Sequence, residues 1–325
     1  LDFMRHPYYF PDGAPMAERV QVMCGFIEKI RAALDEKSKA DGRYRYLGVR
    51  VPIHEADWKD VGFEAGSWRK AGVDYFNLSP SYNMTQQTSI AAARASAPDA
   101  KIYAELTHTA QTWKFGGKGY DDHCWRRCTK EMFENTARIA YARGADGLSL
   151  FNFVYYRAHG GLQDQKGPFN EPPFAQLPGL LDKEKLADIP GYFYLWVKDE
   201  LFPAGGRWGE YKMDVVPAKG NGYAVLRLWL LDDSEKTYNE TQDALPIDRG
   251  QWQVSINGKD LEQFQSPPLA YPFPTEYQAG FGRHEQYLAF AVPAGTLKDG
   301  VNDILLGNQS PALRLRWIEI IQLPR

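Results

Sequence analysis

Two spacings of hydrophobic residues run along this chain, and they change over near residue 204. In the first part, short apolar runs alternate with longer stretches whose apolar residues recur every three or four positions. Leu1–Phe3 reads as the end of a strand. A helix from about Ala14 to Ala40 follows, with Val20, Met23, Phe26, Ile27, Ile30 and Ala33 on one face. Arg45–Ile53 is a second strand, stopped by Pro52, and Trp58–Gly72 a helix closed by its glycine. Val73–Pro80 is a third strand, Met84–Ala97 a helix, and Lys101–Thr109 the fourth strand. Cys124–Arg143 predicts a helix, Ala145–Tyr155 a fifth strand, and Lys183 to about Leu201 a last helix disturbed at Pro190.

Alternation of this kind implies right-handed crossovers and a parallel sheet. No Gly-rich phosphate loop follows any strand, which removes the dinucleotide-binding reading of an open sheet. Polar and aromatic residues instead gather after each strand: Arg5 and His6, His54 and Glu55, Ser79 to Tyr82, His108 and Thr109, Asn152 and Tyr155. A barrel collects such residues at one mouth, so the expected fold class is α/β, the later part of a parallel (β/α) barrel of the TIM type. The second part, YAVLRLWLL, QWQVSING, YLAFAVP, NDILLGN and LRLRWIEIIQL, is a series of short strands without helices. Its turns are rich in Gly, Asn, Asp and Pro, and Asn257-Gly258 predicts a tight hairpin. The expected domains are therefore a barrel over 1–204 and an antiparallel β-sandwich over 205–325. The long loop Tyr156–Pro178 is placed to roof the barrel mouth.

Charge changes this picture little. A net charge of −3 over 325 residues gives no reason to expect nucleic acid or an anionic membrane surface as partner. No run of eighteen apolar residues suggests a membrane span. Trp, Tyr and Phe number 9, 19 and 17, enough to build cores and also to stack on sugar rings. Three cysteines are too few for a disulfide framework. His123, Cys124 and Cys128 lie close together, but no second ligand pair stands elsewhere at zinc spacing, so neither metal nor other cofactor is expected.

The sharpest chemical feature is Glu105, a carboxylate among the apolar residues of KIYAELTHT. Buried there, it must be paired, hydrogen-bonded or functional. Two readings stay open: an ion pair with a neighbouring strand's arginine, or a catalytic group at the C-terminal end of a barrel strand. Asp2 and Glu105 make the best carboxylate pair, with Glu55 as a third candidate. Arg5 and Arg50 could meet an anionic group, although Arg50 lies within an apolar strand and is expected to pair with a core carboxylate. His6, His108 and Asn152 could bond sugar hydroxyls, and Tyr82, Trp113 and Tyr155 could stack on rings; Trp58 and Trp68 fit helix-face packing.

At LDFMRHP the chain resembles the later part of the glycoside-hydrolase-like barrel proteins of polysaccharide-degrading bacteria. There, a strand ending Leu-Asp-Phe-x-Arg precedes a long helix and an arginine-bearing strand, matched here by Leu1, Asp2, Phe3 and Arg5 and then Arg50 in GVRVP. Trp68, Gly72, Val73 and Asp74 fit the next unit, and VSINGK, FAVPAGTLKDGVNDI and WIEIIQL resemble the accessory sandwich. The resemblance implies that Leu1–Phe3 is about the fourth barrel strand, with upstream residues or a second chain completing the barrel. It also implies a glycoside hydrolase acting on a poly- or oligosaccharide, with Glu105 on the seventh strand, where the retaining clan carries its nucleophile. The chain departs from that clan by ending its fourth strand in Asp2, with no Asn-Glu pair. A glycan-binding barrel without activity, and a polysaccharide lyase using His108 or Tyr82 as base, are the alternatives.

Overall fold

The computed structural model describes residues 1–111, 125–156, 169, 171–202, 207–220, 222–232, 252–264, 285–308 and 313–322. The chain divides into two compact units. Leu1–Tyr82, Gln87–Thr107 and Ala140–Phe151 form the first; Asn83–Gln86, His108–Ile139 and Asn152–Arg325 form the second.

The first unit is built on four parallel strands, β1 (Gly48–Pro52), β2 (Tyr75–Ser79), β3 (Lys101–Thr107) and β6 (Gly147–Phe151), side by side in that order. Leu1–Phe3 runs parallel beside β1 through a bridge between Asp2 and Arg50, with Phe3 N–H to Arg50 O at 3.0 Å and Arg50 N–H to Leu1 O at 2.8 Å. The parallel α/β arrangement thus follows the sequence pattern; among the described residues the sheet does not close into a full barrel. Val49, Val51, Phe76, Leu78, Ile102 and Ala104 alternate along the strands and bury one face against Ile27, Trp58, Phe63, Trp68 and Ile90.

The helices differ from expectation where glycine and capping groups intervene. Helix α1 (Met16–Asp41) starts after Pro15 and stops at Gly42, whose φ of 72° lets its N–H reach Ser38 O. The single helix expected over Trp58–Gly72 is two short ones, α2 (Trp58–Val61) and α3 (Ala65–Lys70). Gly62 breaks it with φ 63°, and Glu64 restarts it by accepting from the N–H groups of Gly66 and Ser67. The helix expected from Met84 begins only at Ile90 and ends at Ser96 (α4). The helix expected from Cys124 is instead a short strand β5 (Trp125–Arg127), paired antiparallel with β4 (Thr109–Gln111), and then α5 (Lys130–Ala142).

The helix expected through Leu201 ends at Asp188 (α7, Lys183–Asp188; α6 is Leu177–Leu180). Pro190 cannot continue it, and Gly191–Phe202 becomes strand β7, paired along its length with β15 (Leu313–Gln322). The other strands of the second unit are β8 (Arg207–Val215), β9 (Ala224–Asp232), β10 (Trp252–Ile256), β11 (Lys259–Asp260), β12 (Glu262–Gln263), β13 (Glu285–Val292) and β14 (Gly300–Asn308). They form two antiparallel sheets, β11-β10-β14-β8 and β12-β13-β9-β15-β7. Leu226, Leu228, Val254, Ile256, Leu288, Phe290, Ile304, Leu306, Ile318 and Ile320 belong to one core. Asn257 and Gly258 take φ of 52° and 77° in the β10–β11 turn, as the Asn-Gly signal predicts.

Candidate active site

Strand period and register place the polar residues of the first unit together. Along β1, β2, β3 and β6, the residues that alternate with the core positions are Gly48 and Arg50; Tyr75, Asn77 and Ser79; Tyr103, Glu105 and Thr107; Gly147, Ser149 and Phe151. Register aligns Asp2 with Arg50, Arg50 with Asn77, and Glu105 with Ser149, so one face carries a polar band running across all the strands. Two glycines make room for aromatics beside it. A Cβ on Gly48 would stand 2.0 Å from the Tyr75 ring, and one on Gly147 would stand 2.8 Å from Tyr103.

Glu105 lies at the centre of the band with 3% of its side chain exposed. Its Oε2 accepts from Arg50 Nε at 2.7 Å and from Asn77 Nδ2 at 2.9 Å. Its Oε1 accepts from Arg50 Nη2 at 2.8 Å and from the Ser79 hydroxyl at 2.5 Å. Asn77 is itself fixed, because its Oδ1 accepts from the Ser149 hydroxyl at 2.6 Å. Ser79 Oγ also accepts from Arg50 Nη2 and from the N–H of Ser81, a non-glycine residue at φ 61°. Each carboxylate oxygen therefore has two donors, which fills the acceptor sites of the group.

Arg50 spends its last nitrogen on Asp2, with Nη1 at 3.2 and 3.1 Å from the two carboxylate oxygens. The guanidinium lies 4.1 Å from the centre of the Phe151 ring. Burial opposes its charge, but the hydrogen bond and charge of Glu105 and the charge of Asp2 outweigh burial and raise its pKa above the ordinary arginine value. Asp2 is the open member of the group: 55% of its side chain is exposed, against 14% for Arg50. The Met4 N–H holds one Asp2 oxygen at 2.9 Å. Asp2 and Glu105 thus bond one guanidinium through different nitrogens, Asp2 through Nη1 and Glu105 through Nε and Nη2.

The remaining sequence candidates divide between the two units. Arg5 donates to the Tyr82 hydroxyl at 3.1 Å, and Tyr82 meets the Phe151 ring at 5.5 Å, so these three join the band. His6 is exposed. Glu55 is exposed at the start of a 3-10 turn, its N–H bonded to Ser89 Oγ. His108, Asn152 and Tyr155 belong to the second unit: His108 is fully buried, Asn152 takes φ 52°, and Tyr155 is 42% exposed. Trp113, His123, Cys124 and most of the expected Tyr156–Pro178 roof lie outside the described residues. Among the described residues no group of three potential ligands could hold a metal ion. Sequence reasoning missed Asn77, Ser149 and Phe151; Asn77 lies one register step from Arg50, Ser149 one step from Glu105, and Phe151 precedes Asn152, which is the signal that could have found them.

No protein-family model matches the sequence. No curated protein matches it either. Among solved structures, a family GH18 chitinase from Chromobacterium violaceum is similar at 8% identity and a TM-score of 0.34, over 90% of this chain and 61% of that one. Chitinase ChiW from Paenibacillus sp. str. FPU-7 is similar at 12% identity and a TM-score of 0.33, over 86% of this chain and 35% of that one. An endo-beta-1,4-mannanase from Thermotoga petrophila is similar at 10% identity and a TM-score of 0.32, over 91% and 61%. The chain thus spans about three fifths of the first and third proteins and about a third of the second. All three likenesses are distant.

Proposed function

We propose that this protein handles carbohydrate at the C-terminal ends of its parallel strands, as a glycoside-hydrolase-type domain in which Asp2 is the carboxylate that meets the sugar. The observation that carries this reading is the contrast between two carboxylates on one guanidinium. Glu105 is buried, and its four acceptor positions are taken by Arg50, Asn77 and Ser79. A carboxylate so occupied has no lone pair left for attack or proton transfer. Its work is to anchor Arg50, which in turn fixes Asp2. Asp2 is exposed and shares Arg50 with the Phe151 ring, which meets Tyr82 and through it Arg5, side chains suited to hydroxyls and ring faces. Cleavage needs a second carboxyl group, and Glu55, exposed after β1, is the other exposed carboxylate among the candidates.

The test is turnover on a panel of polysaccharides, with melting curves, for Asp2→Asn, Glu55→Gln and Glu105→Gln. Loss of a catalytic carboxyl should slow turnover about 10²–10⁴-fold. Asp2→Asn and Glu55→Gln should do so with little change in melting, whereas Glu105→Gln should melt lower. Normal turnover by Asp2→Asn refutes the assignment. The saturation of Glu105 also favours a second reading, a domain that holds glycan without cleaving it. That reading expects binding sensitive to Asp2→Asn and no product; an unsaturated product absorbing in the ultraviolet would mark a lyase instead.

A further inference from the structure

The second unit carries a groove of its own. At one end of the five-stranded sheet, Ala224 at the start of β9 pairs with Val292 at the end of β13, and Ala291 pairs with Glu262 of β12. This brings Tyr223, Pro293, Asp260 and Glu262 around a groove of about 590 Å³ whose wall is the short side chains of Ala291, Val292 and Ala294. Between the two acids, Leu261 packs against the sandwich core, so the two-residue period sends both carboxylates outward. Both are exposed, and neither has a hydrogen bond or ion pair among the described residues. Tyr223 is 48% exposed, and its ring is set edge-to-face against Phe264, 6.0 Å away at 77°. Burial pushes its phenol above the ordinary value, so the hydroxyl is a neutral donor.

Each part of the groove restricts the occupant. An exposed aromatic face held rigid by a second ring suits a flat body with C–H groups on one side. Two unpaired carboxylates ask for several hydroxyl or N–H donors and repel anions. A divalent cation is poorly served: calcium takes about six to eight oxygens, and no group of three ligand side chains exists among the described residues. We infer that the sandwich binds a neutral sugar chain in this groove, with Tyr223 as stacking platform and Asp260 and Glu262 as hydroxyl acceptors. The inference is separate from the reading of Asp2, since none of its residues belongs to the parallel-strand unit.

The experiment is calorimetric titration of the full chain, carrying Asp2→Asn to suppress turnover, with cello-, xylo-, manno- and laminarihexaose. Hexagalacturonate and calcium chloride serve as controls. One or more neutral hexaoses should bind. Tyr223→Ala should weaken that binding about tenfold, Tyr223→Phe should retain most of it, and Glu262→Gln should weaken it measurably at unchanged melting temperature. The inference is overturned if no neutral hexaose binds, if only hexagalacturonate or calcium binds, or if Tyr223→Ala and Glu262→Gln both leave the affinity unchanged. Binding that survives those two changes but differs between the wild-type chain and the Asp2→Asn variant places the sugar at the parallel strands, which overturns the groove and leaves the Asp2 reading standing.

Discussion

Replacing Glu105 with glutamine separates a holding role from a reacting one. Glutamine keeps the shape but turns one acceptor oxygen into an NH₂ donor. With its nitrogen at the Oε2 position, it faces Arg50 Nε–H and the Asn77 amide. Asn77 can turn its oxygen toward that nitrogen only if the Ser149 hydroxyl turns with it to accept, and Arg50 Nε–H still faces a donor. With its nitrogen at the Oε1 position, it faces Arg50 Nη2 and the Ser79 hydroxyl, whose oxygen already accepts from Arg50 Nη2 and the Ser81 N–H. Either arrangement sets donor against donor and removes the counter-charge from a guanidinium only 14% exposed. Breaking a buried pair costs about 3–5 kcal/mol, and the remaining charge of Asp2 keeps the expected loss near 3 kcal/mol. At about 2.1 cal/mol/K per residue over 325 residues, that is roughly 4–5 °C of melting temperature. Thermal and urea unfolding would measure it, with Arg50→Met and the double variant closing a cycle. Glu105→Gln should cost much less in the Arg50→Met background, giving a coupling of about 2 kcal/mol. A variant within about 0.5 kcal/mol of wild type that nevertheless turns over a hundredfold slower would refute the reasoning, because Glu105 would then be reacting with substrate.

Glu64→Ala removes the cap of α3 and should cost about 1 kcal/mol. Burial works to raise the Glu64 pKa, but the hydrogen bonds from Ser67, Ser96 and the N–H groups of Ser67 and Gly66 prevail and lower it. Its contribution is therefore full above the unfolded value of about 4.3 and is lost as pH falls through the lower folded value. Melting curves of wild type and Glu64→Ala should converge in acid; a gap that widens there contradicts the cap. Gly48→Ala drives a methyl into the Tyr75 ring and should cost about 1–3 kcal/mol by overpacking. The same change in a Tyr75→Ala background should be close to neutral, and equal losses in both backgrounds would show that the ring is not what requires the glycine.

Hydrophobic spacing by itself marked the strand segments of the first unit, and their alternation with helices implied that they run parallel, because a helical crossover returns the chain to the sheet in the same direction. Asn257-Gly258 likewise announced its turn, since few residue pairs accept positive φ at both positions. Local spacing could not place Gly191–Phe202, which reads as the tail of a helix until β15 arrives from more than a hundred residues away to pair with it. Nor could it show that Trp58–Gly72 breaks at Gly62, where one left-handed residue outweighs a continuous apolar pattern. Glu105 was legible as a carboxylate in need of a partner. Only the register of the strands decided that Arg50, Asn77 and Ser79 would take up both of its oxygens and leave Asp2 as the accessible charge, because hydrogen-bond saturation depends on side chains brought together across strands rather than along them.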